Sequence, residues 1–312
     1  MQFWNLITPL LKRGQRMILL LVLDNKGSSP GKQGFKMAIV EDGTMIGTIG
    51  GGIMEQKLVE LARTYFNQTD GFKPFIKHQI HDKDAKKDQS GMICSGEQTV
   101  GFYPIALQDL ITIKDSEFSE KRTIQFDEKG ISRVNDQVTG NHEFHQADEQ
   151  SWIYKECLDN NEVVHIVGAG HVGLALSRVL YQLGFYVKIY DDRSNLYTLN
   201  QNEFVHEKHL IQFDELGEII SSDEHAYVVL VSFGYRTDKI ALNQLINHDF
   251  KYLGMMGSEN KIKQLYSELL KEGISQLLLD KVYAPIGLTR HNKTADEIAV
   301  SIAAQIIAVK NG

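Results

Sequence analysis

The run Gly168-Ala-Gly170-His-Val-Gly173 constrains the fold most, because of what flanks it. It follows the apolar segment Val163-Val-His-Ile-Val167, which reads as a strand, and it opens a helical stretch from His171 to Gln182. A second strand, Tyr186 to Tyr190, then leads to Asp191 and Asp192, about 20 residues beyond the glycines. Each part has a physical role in a dinucleotide-binding β-α-β unit. Gly168 permits the tight turn, Gly170 lets a pyrophosphate approach the backbone, and Gly173 lets helix and sheet lie close together. The helix beginning at His171 turns free amides and positive potential toward the phosphates. Asp191 or Asp192 suits a ribose 2′-hydroxyl, which favours NAD, although Arg193 next to them leaves NADP open.

Beyond this unit, apolar strands continue to alternate with helices. Tyr227 to Ser232 and Lys251 to Met255 read as strands, with His209 to Phe213 and Val282 to Ile286 as two further candidates. Helices fit Lys239 to Leu245, Lys261 to Lys271 and Thr294 to Val309. The pattern is α/β and implies a parallel sheet covered on both faces.

The first half reads differently. A short helix over residues 1–12 precedes the apolar strand Met17 to Leu23, and a glycine-rich loop spans Asn25 to Gly34. Lys36 to Val40 and Met45 to Ile49 form a hairpin around Asp42 and Gly43. Gly50-Gly-Gly52 leads into an amphipathic helix, and strands follow at Phe72 to Ile80 and Gln98 to Ile105. This is a small α+β domain, assigned to residues 1–112. Residues 113–160 are polar and read as a connector with one hairpin, Thr123 to Val134. Residues 161–312 form the Rossmann-like domain.

Composition narrows the function classes. With 33 Lys+Arg against 40 Asp+Glu the net charge is −7, which argues against a nucleic-acid or anionic-membrane surface. The apolar run Met17 to Leu23 is far short of the roughly 20 residues that cross a bilayer. No small-residue cleavage site follows it, so a soluble, cytoplasmic protein is expected. Two cysteines, Cys94 and Cys157, exclude a disulfide scaffold. Cys157 reads as an ordinary helix residue. The histidine pairs His78/His81, His142/His145 and His206/His209 have i, i+3 spacing but no third ligand nearby, so no zinc site is expected. Motifs for P-loop NTPases and zincins are absent from the sequence.

Other features of the first half suit an anion. Gly50, Gly51 and Gly52 bring the chain close to a ligand at a helix start, and a tight strand-to-helix turn needs the same residues. Ser28 and Ser29, with Lys32 and Lys36 beside them, offer hydroxyls and positive charge, as a solvated loop also would. Glu55, in the first helical turn, suits the helix dipole and needs no further role. Cys94 lies in Gly91-Met-Ile-Cys-Ser-Gly96, where small neighbours leave a thiol accessible to a soft metal.

Taken in order, these segments resemble the xanthine dehydrogenase accessory family, XdhC/CoxI. The resemblance lies in Gly27-Ser-Ser-Pro30, Gly47-Thr-Ile-Gly-Gly-Gly52, the Cys94 segment and the glycine run with Asp191-Asp-Arg193. Tyr252-Leu-Gly-Met-Met-Gly-Ser258, Ala284-Pro-Ile-Gly-Leu288 and Thr294 to Ile302 add to it. The chain departs from the family's usual pattern at Ser95, and at Gly31, where an arginine commonly follows the loop proline. The resemblance implies a non-enzymatic chaperone that binds molybdenum cofactor (molybdopterin) and protects it during sulfuration. It would then deliver it to apo-xanthine dehydrogenase or a related molybdenum hydroxylase. A cysteine desulfurase and a second copy of the chain are the implied partners. Ser28, Ser29, Lys32, Gly50 to Gly52 and Cys94 would line the cofactor site, with Cys94 a candidate molybdenum contact. Gly168, Gly170, His171, Gly173, Asp191 and Asp192 would hold its phosphate or a nucleotide. The competing expectation is an NAD-dependent oxidoreductase, for which no general acid or base stands out by motif.

Overall fold

The computed structural model describes residues 2–67, 72–80, 96–114, 123–136, 138, 140, 142–158, 162–288 and 292–312. They fall into two compact units, residues 1–160 and 161–312.

In the first unit, helix α1 (Gln2–Lys12) precedes β1 (Met17–Gly27), β2 (Lys36–Val40) and β3 (Met45–Gly47). Helix α2 (Gly52–Tyr65), β4 (Phe75–Ile80), β5 (Gly96–Ile105) and α3 (Leu107–Lys114) follow. The strands form an antiparallel sheet in the order β3-β2-β1-β5-β4, which puts β1 at its centre. That position explains the uninterrupted apolar run. Ile18, Leu20 and Val22 share a core with Met54, Leu58 and Ala62 of α2. Leu19, Leu21 and Leu23 point the other way, into a core with Trp4 and Ile7 of α1 and with Phe126, Trp152 and Tyr154.

Those last three residues come from the stretch read as a polar connector. The expected hairpin is there, as β6 (Thr123–Asp127) and β7 (Gly130–Val134), but β8 (His142–Asp148) and β9 (Ser151–Cys157) join it. Together they make a four-stranded antiparallel sheet, β7-β6-β9-β8, that forms part of the first unit. Cys157 therefore ends a strand, not a helix. Burial in β9 alternates, with Trp152, Tyr154 and Glu156 inward, the period of a half-buried strand. The Trp152 indole donates to the Tyr103 hydroxyl at 2.8 Å, tying the two sheets together.

The second unit is a Rossmann-like domain. Its elements are β10 (Val163–Val167), α4 (His171–Gln182), β11 (Tyr186–Asp191), α5 (Tyr197–Asn200), β12 (Glu207–Leu210), α6 (Leu216–Ile219), β13 (Asp223–Leu230), α7 (Tyr235–Leu245), β14 (Phe250–Met255), α8 (Glu259–Lys271), α9 (Gln276–Leu279) and α10 (Ala295–Asn311). All strand pairs are parallel, in the order β12-β11-β10-β13-β14. Val164 and Ile166 share a core with Leu176 of α4 and Ile302 of α10. Val167, Val228 and Leu230 share another with Leu242 of α7 and Leu265 of α8. Val282 to Ile286, expected as a strand, contributes only a bridge between Gly254 and Tyr283. Pro285 has no amide to extend a ladder.

Strand order reverses between β10 and β13, so the carboxyl ends of these two parallel strands flank the topological switch point, where open α/β sheets bind ligands.

Candidate functional site

At the switch point the three glycines of the turn have separate reasons to be there. Gly168 has φ +112°, and a Cβ on it would lie 2.6 Å from the Ser232 nitrogen at the end of β13. A Cβ on Gly173 would lie 2.1 Å from the Gly168 carbonyl oxygen. Gly170 is different: a Cβ there would meet nothing within 4 Å. It is also the N-cap of α4 and supplies no side-chain cap, so the first amides of that helix stay available to an anion. His171, the first residue of α4, is exposed.

The two aspartates separate sharply. Asp191 is fully buried, and its carboxylate accepts the Ala169 amide at 2.7 Å. It also accepts the Arg193 amide at 3.1 Å and both arms of the Arg193 guanidinium at 2.8 Å. Burial opposes ionisation, but the Arg193 fork and the two amides outweigh it and hold the carboxyl below its ordinary range. Asp191 thus closes the glycine turn from within. Asp192 keeps a 31% exposed side chain and is the member of the pair open to a sugar hydroxyl.

On the other side of the switch point, the Ser232 hydroxyl donates to Asp238, which is paired with Lys261. Burial raises the Asp238 carboxyl, against the opposing effects of Lys261 and Ser232. No sequence motif announces this trio, because its members come from the β13–α7 loop, α7 and α8.

In the first unit, the loop after β1 and the turn after β3 meet through glycines. A Cβ on Gly31 would lie 2.2 Å from the Ile49 carbonyl oxygen, and one on Gly96 would lie 2.4 Å from the Ser29 nitrogen. Position 31 therefore has no room for the arginine common in the family. Ser29 is 2% exposed, and its hydroxyl donates to Gln98 at 2.8 Å. Ser28 and Lys32 are exposed.

The turn over Gly50 to Gly52 holds an anion that belongs to the chain. Glu55 Oε2 accepts from the Thr48 hydroxyl at 2.6 Å and from the amides of Ile49 and Gly51 at 2.9 and 3.0 Å. The helix dipole alone does not account for Glu55, since its carboxylate fills the turn. Cys94 and His81 lie outside the described residues. No group of three metal-ligating side chains forms among the described residues.

A cluster of four in this unit joins Lys36 of β2 to three residues of the β7-β6-β9-β8 sheet. Lys36 pairs with Glu156 at 2.7 Å, the Tyr154 hydroxyl donates to Glu156 at 3.2 Å, and His142 Nδ1 is 2.8 Å from that hydroxyl. The His142 ring lies where a Cβ on Gly34 would be, 2.6 Å away. It clamps the far end of the Ser28–Lys32 loop. Burial pushes the His142 imidazole below its usual range, and Lys36 adds to this while Glu156 opposes it.

Comparison with known families decides the relationship. The model of the XdhC Rossmann domain matches residues 164–306, and the model of the XdhC and CoxI family matches residues 10–72. The chain belongs to the XdhC and CoxI family.

Curated relatives of this XdhC-family chain are distant. YqeB of Escherichia coli K12 is 22% identical over 293 residues, covering 93% of the chain but 43% of its own length. A protein of Bacillus subtilis 168 described as a probable xanthine dehydrogenase component is 22% identical over 335 residues, covering 99% of the chain and 97% of that protein. A crystal structure described as a xanthine dehydrogenase from Bacillus halodurans superposes with a TM-score of 0.77 at 21% identity, covering 100% of this chain and 96% of that one. At that identity the likeness speaks for the fold.

Proposed function

We propose that this chain is an accessory protein that binds molybdenum cofactor and delivers it to apo-xanthine dehydrogenase or a related molybdenum hydroxylase. The observation that carries this reading is the succession of both XdhC-family models along one chain. The B. subtilis relative, aligned nearly end to end, is named for xanthine dehydrogenase and points to the same system.

The chain's residues fit the cofactor's phosphate in one place and resist it in another. The glycine turn of the second unit offers uncapped amides around open space at Gly170. The corresponding turn of the first unit is filled by Glu55, so an anion would bind there only after displacing that carboxylate. Bound, the cofactor would bring its molybdenum and pterin, and the chain's part is to bind and shield it. Sulfuration by a cysteine desulfurase, a homodimeric state and a molybdenum contact at Cys94 belong to the same proposal. Among the described residues no helix is long and apolar enough to cross a membrane.

The test is to purify the protein from cells that make the cofactor, oxidise it, and read pterin fluorescence and metal content beside a titration with NAD. Stoichiometric pterin that falls in Cys94→Ala supports the proposal. Absence of pterin, with tight NAD binding and substrate-dependent NADH formation, would replace it with the oxidoreductase reading.

A further inference from the structure

Phe233 is 88% exposed, more than any other large apolar side chain among the described residues. A single exposed apolar residue is common on protein surfaces and means little by itself. Its setting is what carries weight here. Val231 donates to the Val167 carbonyl at 2.8 Å, and Gly168 abuts Ser232, so Phe233 leaves β13 directly beside the glycine turn.

The backbone on both sides of Phe233 is tied down. Ser232 is 5% exposed, and its hydroxyl is held by Asp238 and, at 3.0 Å, by Thr237. The Asp238–Lys261 pair fixes that anchor between α7 and α8. On the other side Gly234, at φ +125°, caps α7 and accepts the Asp238 amide at 3.2 Å. The Thr237 hydroxyl lies 3.2 Å from the Phe233 carbonyl oxygen and 3.1 Å from that of Gly234. A half-buried ion pair and a hydroxyl network thus hold in place a loop whose one large side chain touches little of the protein.

We propose that Phe233 is a stacking platform for the flat heteroaromatic ring of a phosphorylated ligand whose phosphate lies on the turn Gly168 to Gly173. The inference rests on the reading of that turn as a phosphate site. A nucleotide and a phosphorylated pterin share the required chemistry, a planar ring joined to a phosphate. A base stacked on an aromatic side chain is worth enough that its removal costs about ten-fold or more in affinity.

The test titrates the full chain with AMP, with 6-hydroxymethylpterin phosphate and with ribose 5-phosphate, for wild type, Phe233→Ala and Phe233→Trp. Thermal midpoints confirm that the variants are folded. The expected result is a loss of about ten-fold or more for the ring-bearing ligand in Phe233→Ala. Phe233→Trp should keep the affinity and report binding as quenched indole fluorescence, and ribose 5-phosphate should bind all three proteins alike. Whichever ring ligand binds tighter identifies the source. Equal binding of the ring ligand by wild type and Phe233→Ala overturns the platform and leaves the phosphate site standing. Failure of wild type to bind any of the three overturns the phosphate site, and the platform with it.

Discussion

Glu55 Oε2 accepts the amide of Ile49 at 2.9 Å, so the glycine turn that reads in sequence as an open anion cradle is closed by the chain's own carboxylate. The Thr48 hydroxyl and the Gly51 amide converge on the same oxygen. Glu55→Ala would leave these donors without their acceptor, with an expected loss of about 1–3 kcal/mol in stability. If the emptied turn takes up an anion, added sulfate should restore part of the thermal midpoint. A midpoint that sulfate leaves unchanged would show that the turn serves only to start α2.

The contrast between the two halves explains how much the sequence disclosed. Gly168, Gly170 and Gly173 announce themselves because one local unit of strand, turn and helix dictates their spacing, and the parallel sheet follows from it. Glu55, Asp238 and Lys261 do not. An acid in a first helical turn is ordinary, and Asp238 meets Lys261 only once α7 and α8 are side by side. The β8–β9 pair escapes a sequence reading for a related reason. His142 to Cys157 is polar on one face, and its inward residues alternate too briefly to stand out from the polar composition. Asp191 is legible at the end of β11, but sequence does not show that Arg193 and Ala169 use up its carboxylate.

Gly31 and Gly43 separate lack of space from lack of backbone freedom. A methyl on Gly31 would lie 2.2 Å from the Ile49 carbonyl oxygen, whereas one on Gly43 would meet nothing within 4 Å at φ +93°. Gly43→Ala should cost about 1–2 kcal/mol from its left-handed backbone. Gly31→Ala should cost at least as much, because the obstacle is backbone that moves only with β3, and Gly31→Arg should cost more still. Urea unfolding of the three variants checks the order. A stable Gly31→Arg protein would mean that the loop can adopt the family's usual arrangement.

Asp191→Asn tests whether that residue closes the turn. The asparagine keeps one acceptor for Ala169 and loses the charge that binds the Arg193 fork, for an expected loss of about 1–3 kcal/mol at pH 7. The folded-state pKa of Asp191 is depressed, so its contribution is present above the unfolded value and is lost as pH falls through the folded one. Wild type should therefore lose its advantage over Asp191→Asn below about pH 4. A gap between the two proteins that stays constant down to about pH 2 would assign the loss to packing.

His165 gives the central strand of the same sheet its own pH dependence. It sits on β10, its Nδ1 2.9 Å from the Tyr190 hydroxyl, and burial pushes its imidazole down to about 4, with Lys188 adding to the effect. A histidine depressed in the folded state binds its proton more readily when unfolded. Stability is therefore full above the unfolded pKa, near 6.5, and declines as pH falls toward the folded one. The loss over that window is on the order of 3 kcal/mol. His165→Gln removes the titration at the cost of some packing, so it should be less stable than wild type at about pH 7.5 and draw level or better near pH 4.5. Hydrogen exchange at the β10 amides, read at both pH values, follows the second unit without interference from the first. A protection difference that does not change with pH would place the charge-sensitive group elsewhere.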